Sequence, residues 1–340
     1  MRALVTGSRG YIGSHLVDVL RDAGHEVTGC DLGLYAGCEW GELTPPTAEL
    51  SKDVRDLTVE ELEGHDVVMH LAAISNDPMG ELDPSLTGEI NARASIELAR
   101  RARDAGVPRF LFASSCSIYG RGESMDLDET AALNPVSAYA QSKIDAERGL
   151  AELATDAFSP VFLRNATAYG DSPVLRVDLV ANNLLASALV YGEVRVMSDG
   201  APWRPLIHCR DIARAFLAFA EAPREAVHAR AVNVGADGEN YQVRDVAEIA
   251  RELVPEAEVV FTGEVGHDPR DYRVRFGLLG ELLPGFRLEY TLREGMAELH
   301  GHYRDFGFSR ADFEGDRFVR LRTLRHRLSL LARASEGAAA

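Results

Sequence analysis

Lysine is almost missing from this chain. Thirty-six of its 340 residues are basic, and every one except Lys52 and Lys143 is arginine. That bias raises the question of what a lysine does at those two positions that an arginine would not. Basic charge is itself outnumbered, 36 residues against 53 acidic ones, and the resulting net charge of −17 argues against nucleic acid or an anionic membrane as the main partner. It leaves open a phosphorylated small molecule, which a few local arginines would suffice to hold. Cysteine is scarce as well: Cys30, Cys38, Cys116 and Cys209 form no C-x-x-C pair, which excludes a disulfide framework and fits a reducing compartment. No apolar run is long enough to span a bilayer, and residue 3 already belongs to a strand. The expectation is a cytoplasmic protein with no signal peptide, no membrane partner and no metal. The length allows a sizeable core, in one large domain or two smaller ones.

What is present is organised around the first strand and turn, Ala3-Leu4-Val5-Thr6-Gly7-Ser8-Arg9-Gly10-Tyr11-Ile12-Gly13-Ser14-His15-Leu16. An apolar strand runs into a glycine turn and then directly into a helix. Gly7 permits the tight turn, Gly10 lets backbone N–H groups approach a pyrophosphate, and Gly13 lets the helix pack closely on the strand. The first turn of that helix offers unpaired N–H groups and a positive dipole end to phosphate. A second strand, Glu26-Val27-Thr28-Gly29-Cys30, ends at Asp31, whose carboxylate can accept hydrogen bonds from ribose hydroxyls and would repel a 2′-phosphate. These features together point to NAD rather than NADP.

From residue 1 to about 165 strands and helices alternate, the pattern of an α/β doubly wound parallel sheet. A Gly/Pro-rich loop follows Asp31. Asp53-Val54 comes next, then the buried strand Val67-Val68-Met69-His70-Leu71, with small residues Ala72 and Ala73 at its carboxyl end. A helix is expected from about Asn91 to Ala105, ending at Gly106. The strand Phe110–Ala113 runs into Ser114-Ser115-Cys116-Ser117, and a further helix starts near Ser137. The expected organisation is a cofactor domain over 1–170 with returns near 206–240, a substrate region over 171–205 and 241–315, and a tail over 316–340. The tail mixes Phe318, Leu321, Leu324 and Leu328 with Arg317, Arg320, Arg322, Arg325 and Arg327. It reads as a solvated amphipathic helix rather than a phosphate or partner site.

Tyr139 and Lys143 stand one helical turn apart and project from the same face. A nearby cation favours tyrosinate, so Lys143 is expected to lower the phenol pKa towards neutrality and make Tyr139 a general base or acid. Ser115 and Ser117 share a face if the strand stays extended, and Ser115 is the hydroxyl expected to hold the reacting oxygen beside Tyr139. Cys116 would then point the other way, into packing.

With these residues in place the chain resembles the extended short-chain dehydrogenase/reductases, specifically the NAD-dependent nucleotide-sugar epimerase/dehydratase family, over about residues 1–300. The resemblance implies that Gly7, Gly10, Tyr11, Ile12 and Gly13 hold the pyrophosphate and Asp31 the adenosine ribose. It implies that Asp53 and Val54 flank the adenine, that Leu71, Ala72, Ala73 and Ser114 line the cofactor channel, and that Asn91 has a structural and cofactor-orienting role. Ser115, Tyr139 and Lys143 match the catalytic trio. Ser75, Ser117 and Asn165 would meet the substrate, a nucleotide-diphosphate sugar. Arg204, in Trp203-Arg204-Pro205-Leu206-Ile207-His208-Cys209-Arg210-Asp211, and Arg270, in Asp268-Pro269-Arg270-Asp271-Tyr272, would clamp its diphosphate.

The resemblance also implies a homodimer built from the helices near 91–105 and 137–154. Dehydratases and decarboxylases of this type carry acidic residues just after the catalytic Ser/Thr, where this chain has Cys116 and Ser117. The reaction expected is therefore an NAD-dependent 4-epimerisation through a transient 4-keto sugar. The alternatives are a nucleotide-deoxysugar 4-ketoreductase, a 4,6-dehydratase, or a C3/C5 epimerase using Cys116.

Overall fold

The computed structural model describes residues 1–120, 126–263 and 270–338. Its largest element is a parallel sheet of seven strands: β1 (Arg2–Thr6), β2 (Glu26–Cys30), β3 (Ala48–Leu50), β4 (Val67–His70), β5 (Arg109–Ser115), β6 (Ser159–Asn165) and β7 (Ala231–Val234). Their spatial order is β7-β6-β5-β4-β1-β2-β3. The chain winds one way from β1 to β3 and the other way from β4 onward. The carboxyl ends of β1 and β4 therefore flank the switch point where such sheets hold ligands.

Alternation along the strands explains why both faces are covered. Ala3 and Val5 face one cluster with Leu16, Val17, Leu20, Ile212, Phe216 and Phe219. Leu4 faces the other, with Leu98, Ala99, Ala102, Ala146 and Leu150. Helices Gly13–Asp22 and Cys209–Glu221 thus pack on one side, and Ala94–Asp104 and Ala138–Ala151 on the other. A strand apolar at every position suits a sheet buried on both faces. The exposed positions of the second pair of helices, including Glu97, Arg100, Gln141, Asp145 and Arg148, are polar.

Of the segment 206–240, Ala231–Val234 forms the sheet edge beside β6. Strand Trp203–His208 pairs instead with Thr167–Tyr169 and Asn240–Gln242 in a three-stranded sheet. A separate core gathers around that sheet, with Leu185, Val194, Val246, Leu292, Met296, Leu299 and Tyr303. Among the described residues, no helix is long and apolar enough to cross a membrane.

The tail is a helix with Arg322, Arg325 and His326 exposed, but its start is anchored rather than solvated. Phe318 is fully buried in the second core, edge-on to Trp40 and beside Phe308, a burial that contributes about 1.5–3 kcal/mol. Helix Arg320–Ala338 follows, with Arg320 only 2% exposed. Arg317 donates to Glu39 O, and Arg327 donates to Ala36 O at 2.5 Å, so the tail is stitched to the loop after β2. The arginine spacing resembled a solvated face because the apolar anchor that overrides it, Trp40, lies far away in sequence.

Candidate active site

Above the β1/β4 switch point lies a cavity of about 1350 Å³. Its floor is the glycine turn. Gly7 adopts φ +71°, and a Cβ on Gly10 would lie 3.0 Å from Gly7 O. Side chains there would fill the cradle that a dinucleotide's phosphates need, so the turn fits the group that the spacing implied. Asp31 stands at one end of the cavity, its two carboxylate oxygens accepting the Arg9 N–H at 3.1 Å and the Gly33 N–H at 2.7 Å. Acceptor capacity remains on both oxygens for ribose hydroxyls. Tyr11, Ile12, Asp53, Val54, Leu71, Ala72, Ala73 and Ser114 all border the same space.

Asn91 is the exception among the expected cofactor residues. It is fully buried in a π-helical turn, Glu89–Arg93, and does not border the cavity. Its amide grips both backbone polar groups of Ile74, at 2.8 and 3.0 Å, and the hydroxyl of Ser142 at 3.1 Å. It pins the cavity-lining segment after β4 to the helix that carries Tyr139.

At the opposite end from Asp31 the trio assembles. Ser137 caps helix Ala138–Ala151 by accepting the Ala140 N–H, which sets Tyr139 in its first turn and Lys143 one turn on. β5 does not stay extended through Ser117, as the shared-face reading required. The chain tightens into a 3₁₀ turn at Cys116–Tyr119, which Ser115 caps by accepting the Ser117 N–H at 3.1 Å. Ser115 and Ser117 both border the cavity all the same. Ser115 is also the hydrogen-bond partner of the Tyr139 phenol. Cys116 faces away, its Sγ donating to Arg164 O at 3.1 Å, and burial pushes its thiol up. A thiol so placed is no acid or base for a sugar carbon.

The expected effect of Lys143 on Tyr139 is not what the fold produces. Burial pushes the phenol up to about 12; Asp77's charge adds to this, and Ser115, Arg176 and Arg270 pull against it. Lys143 turns its ammonium onto Ala113 O at 2.8 Å, beneath the Phe112 ring, and burial brings it from 10.5 down to about 7. Desolvation disfavours both charged forms, so the cofactor-free protein holds a neutral phenol.

A pH dependence of stability follows from Lys143. Between about pH 7 and its ordinary value the unfolded chain binds the proton that the folded protein has released, so stability rises with pH there. The melting temperature of the cofactor-free protein should therefore climb from pH 7 to about 9.5 relative to Lys143→Met, a range below the ionisation of unfolded tyrosine near ~10. Parallel curves would contradict the assignment.

Two groups expected to meet the substrate are buried and find no partner among the described residues: Ser117 Oγ and Asn165 Oδ1. Both residues border the cavity, where a ligand would satisfy them. Arg204 and Arg270 meet at one rim. Arg204 Nη1 donates to Arg270 O at 2.5 Å, and Arg270 Nη1 pairs with Asp77 Oδ2 at 2.9 Å. Asp268 and Pro269 lie outside the described residues.

Ser75 is also at the wall, its Oγ 3.4 Å from Nη1 of Arg176. Arg176 went unnoticed in the sequence. It is 6% exposed and paired with Asp178 at 2.7 Å, which in turn takes the Asn76 amide at 2.9 Å. Arg320 and Tyr35, stacked at 4.1 Å, complete this wall. An R-x-D pair in a loop is too common to signal a site, and Arg320 was hidden among its neighbours. Behind the trio, Glu147 accepts from Ser114 and binds Arg164 at 2.7 Å, and Arg164 reaches the Tyr119 hydroxyl at 3.1 Å. Among the described residues no group of three or more His, Cys, Asp or Glu side chains could hold a metal ion.

A family model described as the NAD dependent epimerase/dehydratase family matches residues 3–235. The putative UDP-glucose 4-epimerase of Methanocaldococcus jannaschii is 27% identical over 309 residues, spanning 86% of this chain and 95% of that protein. Among solved structures, the NAD-dependent NDP-hexosamine 5,6-dehydratase TunA superposes with a TM-score of 0.80 at 26% identity, covering 89% of this chain and 98% of that one. MoeE5 in complex with UDP-glucuronic acid and NAD superposes with a TM-score of 0.78 at 28% identity, covering 90% and 99%.

Proposed function

Since this chain belongs to the NAD dependent epimerase/dehydratase family, we propose that it is a nucleotide-sugar 4-epimerase. NAD, when bound, supplies the acceptor for the hydride leaving the sugar carbon, and returns it. Tyr139 takes the hydroxyl proton as the phenolate and gives it back as the phenol, and Ser115 holds the oxygen in line through its bond to that oxygen. Lys143, anchored on Ala113 O, has a stem flexible enough to swing to a ribose hydroxyl. Arg204, Arg270 and Asn165 receive the sugar's diphosphate, guanidinium forks being suited to paired bonds with phosphate oxygens. A cavity of about 1350 Å³ would leave the 4-keto sugar room to turn and present its other face to the cofactor.

One observation carries the choice of reaction. Asp77, the carboxylate that acts on Tyr139, is held in an ion pair by Arg270 and also accepts from Ser137. Asp178 is likewise held by Arg176. With Cys116 turned away and Ser117 neutral, no free carboxylic acid among the described residues stands beside the trio to protonate a leaving hydroxyl. Epimerisation needs none.

Incubation with UDP- and dTDP-hexoses, followed by NMR, should show inversion at C4 with no net change in NADH absorbance. Accumulation of an unsaturated or 4-keto-6-deoxy product, or consumption of added NADH, would replace the reading with dehydration or ketoreduction. The proposal includes a homodimer through helices Ala94–Asp104 and Ala138–Ala151, and sedimentation at micromolar concentration showing only monomer would contradict it.

A further inference from the structure

The cavity has two buried guanidinium groups on one wall and a carboxylate for only one of them. Arg176 is matched by Asp178. Arg320, just 2% exposed, forms no ion pair among the described residues, and its Nη1 has no hydrogen-bond partner. Its remaining contacts are neutral: Nη2 reaches Val174 O at 3.3 Å, and the guanidinium plane lies over the Tyr35 ring. Asp178 acts on Arg320 only from beyond ion-pair distance and is already held by Arg176; a buried cation with no carboxylate in direct contact is costly to keep, and desolvation works against it here. The fold nonetheless anchors it there with Phe318 on one side and the Arg327 bond to Ala36 on the other.

Its position tells what it waits for. Tyr35 follows closely after Asp31, the adenosine end of the cavity. Arg176, beside which Arg320 sits, touches Ser75 and acts on Tyr139 at the nicotinamide end. The segment carrying Val174 and Arg176 is tied to the glycine turn itself: Ser172 Oγ donates to Tyr11 O at 2.8 Å, and Asn182 Nδ2 donates to both Tyr11 Oη and Arg176 O. Arg320 therefore faces the stretch midway between the two ends, where a dinucleotide carries its two phosphate charges. The turn brings only neutral backbone donors to that stretch, its one cation, Arg9, being paired with Glu49 at 2.6 Å.

We propose that Arg320 is a ligand of the cofactor's diphosphate, delivered by the tail, so that the segment from Phe318 to Arg327 closes over NAD and retains it. Arg176 is the second cation of the same clasp. The inference rests on the cofactor alone and stands or falls independently of the sugar reaction. It gives the tail a task that suits an enzyme returning its own hydride, since a cofactor that ends each cycle unchanged need never leave.

The test is calorimetric titration of cofactor-stripped protein with NAD, ADP-ribose, adenosine and UDP, beside thermal melts. Arg320→Gln should weaken NAD and ADP-ribose about tenfold or more, the scale of a lost charge-assisted bond, and leave adenosine and UDP unchanged. Arg320→Met removes the unpaired charge from an apolar setting. It should melt no lower than the parent without cofactor, and gain less from saturating NAD. Unchanged NAD affinity in both variants would overturn the proposal. So would a loss confined to UDP, which would assign Arg320 to the substrate, and so would failure of both variants to fold, which would make the residue structural.

Discussion

Tyr139→Phe should cut turnover by ~10²–10⁴-fold, the range of a positioned acid–base group, with NAD affinity unchanged. The ring stays, so its packing against Gly80 is preserved, and only the oxygen bonded to Ser115 is lost. The same burial that makes this phenol reluctant to ionise sets the shape of the pH profile. A base whose pKa is pushed up to about 12 in the free protein is ionised in a growing fraction as pH rises. The value of kcat/KM for the sugar reports the enzyme free of sugar but holding its cofactor, and it should climb through the alkaline range if bound NAD leaves the phenol where the fold puts it. Steady-state rates of the parent from pH 6 to 10, with the Phe variant as baseline, measure both. Parent-like turnover in the variant would remove Tyr139 from the chemistry. A plateau already reached at pH 7 would mean that the bound cofactor brings the phenol down from where the fold alone holds it.

That profile marks the boundary between what local sequence carries and what it does not. The glycine turn, Asp31, Ser115, Tyr139 and Lys143 were legible because each depends on a short stretch: strand to turn to helix, a strand end, one helical turn. The doubly wound parallel sheet followed from the same alternation. The sign of the Tyr139 shift was not legible, because it depends on how deeply Ala113, Phe112 and Asp77 enclose the pair, and those distances belong to the tertiary fold. The bend after Ser115 was missed because an extended strand and a 3₁₀ turn place the same serines in the same cavity by different routes. Arg176 and Arg320 come from segments with no shared pattern, brought together by Phe318 settling beside Trp40. Of the two roles expected of Asn91, the structural one is visible: through a π-helical turn it grips Ile74 and braces the wall without bordering the cavity.

Gly13→Ala should abolish NAD binding and destabilise the fold together, whereas Gly10→Ala should mainly weaken NAD. The difference is one of room. A Cβ on Gly13 would lie 1.9 Å from Gly7 O and 2.8 Å from Gly7 C, both backbone atoms that no side-chain rotation can move aside. Gly7 is held on both sides: its N–H donates to Cys30 O at 2.8 Å, and its carbonyl accepts the Gly10 N–H at 2.9 Å. Helix Gly13–Asp22 would have to lift off β1, opening the contact of Leu16 and Val17 with Ala3 and Val5. Overpacking of this kind costs ~1–3 kcal/mol and sometimes more. Lifting the helix also carries its N-terminal N–H groups away from the phosphates they serve. At Gly10 the clash is milder, 3.0 Å to the same oxygen, and is relieved by a small shift of the turn, so the helix stays in place. Thermal melts without cofactor separate the two variants, the first melting well below the parent and the second close to it, and NAD titration should show a loss in both. If Gly13→Ala melted with the parent and bound NAD as tightly, the helix would not be seated on the turn as described, and the turn would not be the cofactor's cradle.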